Sequence, residues 1–148
     1  MKKQLLGIGL FIGLLWNVQA QEIPQREVPS VIVNQFHQQF SKASDVEWEM
    51  DGKLYSVEFE TNWGLDHEVW YAADATMQRH KEDIDVTQLP KAVVSSIEEQ
   101  FDGYTIDDLE RITEGKEVVY KMELKSTHHQ DLKVVMNATG KVLLKTID

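Results

Sequence analysis

The sequence predicts an α+β protein built from two tandem helix-plus-antiparallel-sheet repeats, both helices on one side of the sheet and the other face open. Two observations carry this expectation. The stretch Val28-Pro29-Ser30-Val31-Ile32 through Phe36 to Phe40 recurs, 61 positions later, as Leu89-Pro90-Lys91-Ala92-Val93 through Ile97 to Phe101. Downstream, Tyr55, Phe59 and Val69 match Tyr120, Leu124 and Val134 at a spacing of 65, so the second copy is longer by four residues between helix and hairpin. Repeats of this length are units that complete their apolar faces by packing on a neighbour.

The elements follow in order. Lys2 and Lys3, the apolar run Leu5 to Trp16 and the small-x-small site Val18-Gln19-Ala20 have the layout of a secretory signal peptide, residues 1–20, cleaved after Ala20. The run is shorter than the roughly 20 residues that span a bilayer. The mature chain is expected to be periplasmic or secreted, with no stable membrane anchor after cleavage. Gln21 to Glu27 is polar, carries Pro24 and reads as a flexible N-terminus. Repeat 1 is placed at 28–86 and repeat 2 at 87–148, with 28–148 packed as one unit. Pro29 and Pro90 open the helices, since proline lacks only an N–H that has no intrahelical partner at that position. Ile32, Phe36 and Phe40, and Val93, Ile97 and Phe101, form the apolar stripes.

Strands then alternate. Val46, Trp48 and Met50 interleave with Glu47 and Glu49, and Asp51-Gly52 signals a hairpin with positive φ at both central positions. Leu54 to Glu60, Glu68 to Ala72 and Thr76 to Lys81 complete the first copy. Leu109 to Thr113, Val118 to Lys125, Leu132 to Asn137 and Lys141 to Ile147 are their counterparts.

Composition narrows the function. The chain has no cysteine, so disulfides and lipoprotein anchoring are excluded. Removing Lys2 and Lys3 from the formal charge of −10 leaves −12, of which residues 21–88 carry −9 and residues 89–148 carry −3. Nucleic acid, bound through cationic neutralisation of phosphates, is a poor partner for such a surface. No nucleophile elbow, phosphate loop or nucleotide fingerprint occurs, so the chain is not expected to be an enzyme and no cofactor is expected.

The Val-Pro and Leu-Pro helix starts, the closing Phe40 and Phe101, the Tyr55-x-Val57-x-Phe59 strand and the Val69-x-Tyr71 strand resemble the PepSY-like, beta-lactamase-inhibitor-like domain of small exported Bacteroidetes proteins. The resemblance covers about Val28 to Ile147. It implies tandem helix-plus-sheet repeats whose uncovered face is concave and available to a partner, and it transfers no catalytic residue. Asp74-Ala75 departs from it, lacking the glycine that the second copy keeps at Gly140.

Strand alternation gives the candidate site. With Tyr55, Val57, Phe59, Val69 and Tyr71 under the helix, Glu58, Glu60, Glu68 and Trp70 project from the opposite face, joined by Glu47 and Glu49. In the second copy that face carries Lys121, Glu123, Lys125, Lys133 and Val135, with Lys145 nearby. The partner-binding candidates are Trp70, Trp63, Glu58, Glu60, Glu68, Lys121, Lys125 and Lys133, and Trp70 is expected to be exposed as an interface anchor. A solvated face with cross-strand ion pairs explains the same charges, and Trp63 could equally fold over a sheet edge. Asp66-His67-Glu68 and His128-His129 with Asp131 invite a metal, but neighbouring strand residues point to opposite faces, so no metal site is expected. The leading reading is an exported, non-enzymatic binding module, an inhibitor or regulator of a peptidase or other envelope protein. The alternatives are a small-molecule or cation-binding periplasmic protein, and a structural envelope protein without a discrete ligand.

Overall fold

The computed structural model describes residues 21–62 and 64–148. The expected signal peptide and Trp63 lie outside the described residues. The elements are β1 (Gln21–Glu22), α1 (Ser30–Gln39), β2 (Ser44–Asp51), β3 (Leu54–Thr61), β4 (Leu65–Tyr71) and β5 (Met77–Asp83), then α2 (Lys91–Gln100), β6 (Thr105–Glu114), β7 (Glu117–Lys125), β8 (Leu132–Asn137) and β9 (Val142–Ile147). All nine strands form one sheet in chain order, each pair antiparallel. The fold is α+β, with the two helix-led copies joined edge to edge by β5 and β6.

Each helix begins after its proline, whose carbonyl accepts the first helical bonds: from Ile32 and Val33 at Pro29, and from Val93 and Val94 at Pro90. Proline fixes its own φ and sacrifices no hydrogen bond at that place. α1 buries Ile32 and Phe36 against Trp48, Val57, Phe59, Val69 and Tyr71. The Phe36 ring meets Phe59 edge-on at 5.0 Å and Trp48 at 5.4 Å. The Tyr71 hydroxyl donates to Gln39 Oε1 at 2.7 Å, fixing the end of the helix to β4. α2 buries Val93 and Ile97, and with Phe101 packs on Leu109, Tyr120, Met122, Leu124, Val134 and Met136.

Three expectations change. The segment expected to be flexible carries regular structure: Gln21 and Glu22 pair with Met50 and Glu49, and Ile23 N–H donates to the Trp48 carbonyl at 2.9 Å. Its polar composition hid an edge strand held by backbone bonds and by Ile23, which packs against the α1 core. The first hairpin turns on Gly52-Lys53, not Asp51-Gly52, because Asp51 pairs with Leu54. Only Gly52 has positive φ there, at 62°, the pattern of a type II′ turn. Lys145 pairs with Val134, so it belongs to the α2 side, where its ammonium lies 5.4 Å from the Phe101 ring centre. A register shift between Val135 and Met136 inserts one extra residue in β9 and reverses the alternation.

The missing glycine of the first copy does not prevent its turn. Ala75 adopts φ 67° where Gly140 adopts 80°, and the two turns close alike, Ala75 N–H on the Ala72 carbonyl and Gly140 N–H on the Asn137 carbonyl. Ala75 carries the left-handed strain that glycine avoids. At Gly140 a Cβ would come within 2.4 Å of the Ala92 carbonyl oxygen, so helix α2 leaves no room for one. Urea unfolding should therefore show Ala75→Gly more stable by about 0.5–1 kcal/mol and Gly140→Ala less stable by about 1–3 kcal/mol. Equal effects of the two changes would contradict the different surroundings of the turns.

Candidate functional site: an acidic groove across the repeat seam

A groove of about 520 Å³ is lined mainly by strand residues that alternate with those of the cores, with Phe59, His67 and Met122 also at its wall. Ten carboxylates line it: Asp45 and Glu47 on β2, Glu58 and Glu60 on β3, Asp66 and Glu68 on β4, Asp83 on β5, Asp108 and Glu110 on β6, and Glu123 on β7. Two lysines, Lys81 and Lys121, stand among them. Register produces the crowding, because Glu47 faces Glu58, Glu58 faces Glu68, Glu60 faces Asp66 and Asp83 faces Glu110. Like charges directly opposite one another are destabilising in a sheet.

Both copies contribute a bulge to this groove. Register shifts between Ser44 and Glu47, and between Asp107 and Leu109, leave Asp45 and Asp108 with φ of 50° and 37°. Aspartate tolerates the left-handed region better than most residues, and a bulge redirects the side chain it carries.

The lysines neutralise only part of the set. Lys81 Nζ lies 2.7 Å from Glu68 and Lys121 Nζ lies 2.8 Å from Glu110. Burial works against the Lys81 ammonium, but its hydrogen bond to Glu68 prevails and holds its pKa above the ordinary value. Desolvation, then the charges of Glu68 and Glu49, push the Glu58 pKa up. Desolvation, then Asp66 and Glu110, do the same at Asp83. The groove thus holds more negative charge than its own cations balance.

The expected site residues divide into two groups. Glu58, Glu60, Glu68 and Lys121 come together in the groove. Lys125 and Lys133 are not among the lining residues but flank the groove, in an ion-pair network that joins the groove carboxylate Glu123 to Asp131 and Asp148. The half of the face expected to be basic is therefore neutralised by its own acids. Trp70 does leave the α1 core for the opposite face, yet it is only 7% exposed, against the expectation of an open anchor. Its indole N–H donates to Asp51 Oδ2 at 3.0 Å, and the Arg79 guanidinium lies 4.7 Å from the ring centre. Cross-strand neighbours with long side chains shield it, a cover that alternation alone does not reveal. Val135, also expected to be exposed, is buried with Ile112 and Val119 in a small apolar cluster on this face.

Sequence reasoning missed Asp45, Lys81, Asp83, Asp108 and Glu110 in the groove, and the meeting of His67 with His80. His67 lies within β4, and its strand neighbours Asp66 and Glu68 take the opposite face. His128 and His129 occupy an exposed turn whose N–H groups both donate to Ser126 Oγ at 3.2 Å.

A continuous antiparallel sheet carrying two packed helices in tandem repeat defines an α+β repeat protein. The chain belongs to the family described as "Putative beta-lactamase-inhibitor-like, PepSY-like", whose model matches residues 15–69 and again 64–143. It is similar in fold to a DUF2874 family protein from Bacteroides uniformis, at 19% identity and a TM-score of 0.66 over 80% of this chain and 88% of that one. A protein from Bacteroides eggerthii described as a "putative periplasmic" protein aligns at 17% identity and a TM-score of 0.68, covering 81% and 88%. A BLIP-like protein from Bacteroides fragilis aligns at 18% identity and a TM-score of 0.65, covering 84% and 87%. No curated protein sequence matches. No helix among the described residues is long and apolar enough to cross a membrane.

The raised pKa of Glu58 sets a pH dependence. The folded chain holds that proton to higher pH than the unfolded chain, so stability is lost as pH rises from the ordinary glutamate range through the raised value. Glu58→Gln should have a higher urea midpoint than wild type at about pH 7, and the difference should disappear near pH 3, where Glu58 is protonated in both states. A variant less stable than wild type at neutral pH would contradict the repulsion.

Proposed function

We propose that the protein is an exported, non-enzymatic binding module that uses the acidic groove to hold a Lys- and Arg-rich segment of another cell-envelope protein, as its inhibitor or regulator. The observation that carries this reading is the set of ten carboxylates, drawn from both copies, around one groove with only two lysines. Folding alone gains nothing from such repulsion, whereas a cationic partner would relieve it. The reading takes both helices to share one side of the sheet. The cross-strand row Phe59–His67–Glu82–Arg111–Tyr120, unbroken from the α1 core to the α2 core, supports that placement. Family membership and the BLIP-like relative support a binding role, and the periplasmic relative supports export. In this reading Glu58, Glu60, Glu68 and Asp66 contact the partner. Lys121 shapes the far wall of the groove, while Trp70 stiffens the sheet beside it.

A labelled basic peptide tests this by fluorescence anisotropy. It should bind saturably, more weakly as salt rises, because exposed charge pairs are screened over about 10 Å at 0.1 M salt. The double variant Glu58→Lys, Asp66→Lys should bind on the order of tenfold or more weakly, each factor of ten corresponding to about 1.4 kcal/mol. Equal binding of an acidic peptide, or no change in the double variant, would refute the groove as the site.

A further inference from the structure

A second constellation lies on the strand face that bears the cores and adjoins the groove, which His67 also lines. His67 on β4 and His80 and Glu82 on β5 bring Nδ1, Nε2 and a carboxylate oxygen within 4.8 Å of one another. His67 Nδ1 is 3.1 Å from His80 Nε2 and 3.9 Å from Glu82 Oε2. An ion bound at about 2.0–2.1 Å in tetrahedral geometry separates two nitrogen ligands by about 3.3 Å. The two nitrogens already stand near that spacing, and a rotation of the Glu82 side chain that closes the 3.9 Å gap to His67 completes the three-donor set.

The surroundings orient each donor. His67 Nε2 lies 2.6 Å from Thr61 Oγ1, so a proton on Nε2 can be donated to the hydroxyl while Nδ1 keeps its lone pair toward the cluster. Arg111 directs Nε and Nη2 to Glu82 Oε1, at 2.8 and 2.7 Å, leaving Oε2 free. Such partners of the ligands fix tautomer and orientation in metal sites. Phe59 stacks on the His67 ring at 4.9 Å, and Phe40 meets the His80 ring edge-on at 5.5 Å. Burial lowers the pKa of both imidazoles.

The repeat supplies an internal comparison. At the spacing of 65, the counterparts of His67, His80 and Glu82 are Leu132, Lys145 and Ile147, and Leu132 pairs directly with Ile147. The second copy builds the same strand pair from residues that cannot form this cluster. Nothing in the shared strand geometry demands two histidines and a glutamate in the first.

We propose that His67, His80 and Glu82 form a site for a divalent transition metal of the zinc type, with water completing the coordination. Two nitrogens and one carboxylate suit a borderline ion better than calcium or magnesium, which take oxygen ligands. Binding requires His80 to take the tautomer protonated at Nδ1, its Nε2 proton passing to solvent as Nδ1 takes one up, so that both facing nitrogens offer lone pairs to the ion. This inference uses none of the groove carboxylates named in the proposed function, so either can fail alone.

Calorimetric titration of the purified, chelator-treated protein with zinc chloride tests it. One ion should bind per chain, with affinity at least about tenfold weaker in His67→Leu and in His80→Gln. The double variant His128→Ala, His129→Ala should keep wild-type affinity. Since leucine is the residue the second copy carries at the position of His67, His67→Leu suits the fold. Cobalt(II) added to wild type gives a readout that no variant's stability can obscure: intense visible bands of a four-coordinate ion. Absence of those bands, or zinc affinity unchanged in both histidine variants, would overturn the proposal.

Discussion

The antiparallel pairing of β5 with β6 is the contact on which the rest of the structure depends. Arg79 to Asp83 align with Glu114 to Glu110, and the ion pair of Arg111 with Glu82 crosses the join at 2.7 Å. Domains of about 60 residues bury too little surface to be comfortably stable alone, and a chain without cysteine has no disulfides to compensate. Joining the copies edge to edge removes one exposed strand edge from each and makes one sheet of nine strands. It also sets both features with chemical potential. The groove takes carboxylates from either side of the join, and Arg111 of the second copy steadies Glu82 of the first.

Charge is distributed along this sheet with a consistent asymmetry. At its C-terminal end Lys125 and Lys133 share Glu123 and Asp148, an exposed arrangement worth little to stability but close to neutral. Across β2, β3 and β4, and at the seam pair Asp83–Glu110, the same lattice of cross-strand neighbours places acid opposite acid. The two aspartates at the bulges of β2 and β6 add to that crowding in both copies. The stability forgone there is consistent with a surface shaped by something other than folding.

Much of the fold was legible because it rests on periodicity. The helix stripes through Ile32 and Phe36, and through Val93 and Ile97, follow from four-residue spacing, and Val57, Phe59, Val69 and Tyr71 follow from strand alternation. What escaped depends on register, which no single strand encodes. The extra residues opposite Tyr71 and Met136 decide which face Arg79 and Lys145 take, and so whether Trp70 is covered. His67 and His80 meet only because β4 and β5 pair in that register, bringing together residues from two separate strands. Glu58, Glu60 and Glu68 were found because alternation alone places them. Asp45 and Asp108 were not, because a bulge on an aspartate leaves no clear mark in sequence.

Native-state hydrogen exchange tests most directly whether the seam unites the copies. If it does, the paired amides of β5 and β6 exchange only through global unfolding, with the same free energy as the core strands β3 and β7. Unfolding in urea then follows a single transition by every probe. Exchange of β5 and β6 amides at markedly lower free energy, or one copy unfolding while the other keeps its protection, would contradict the account.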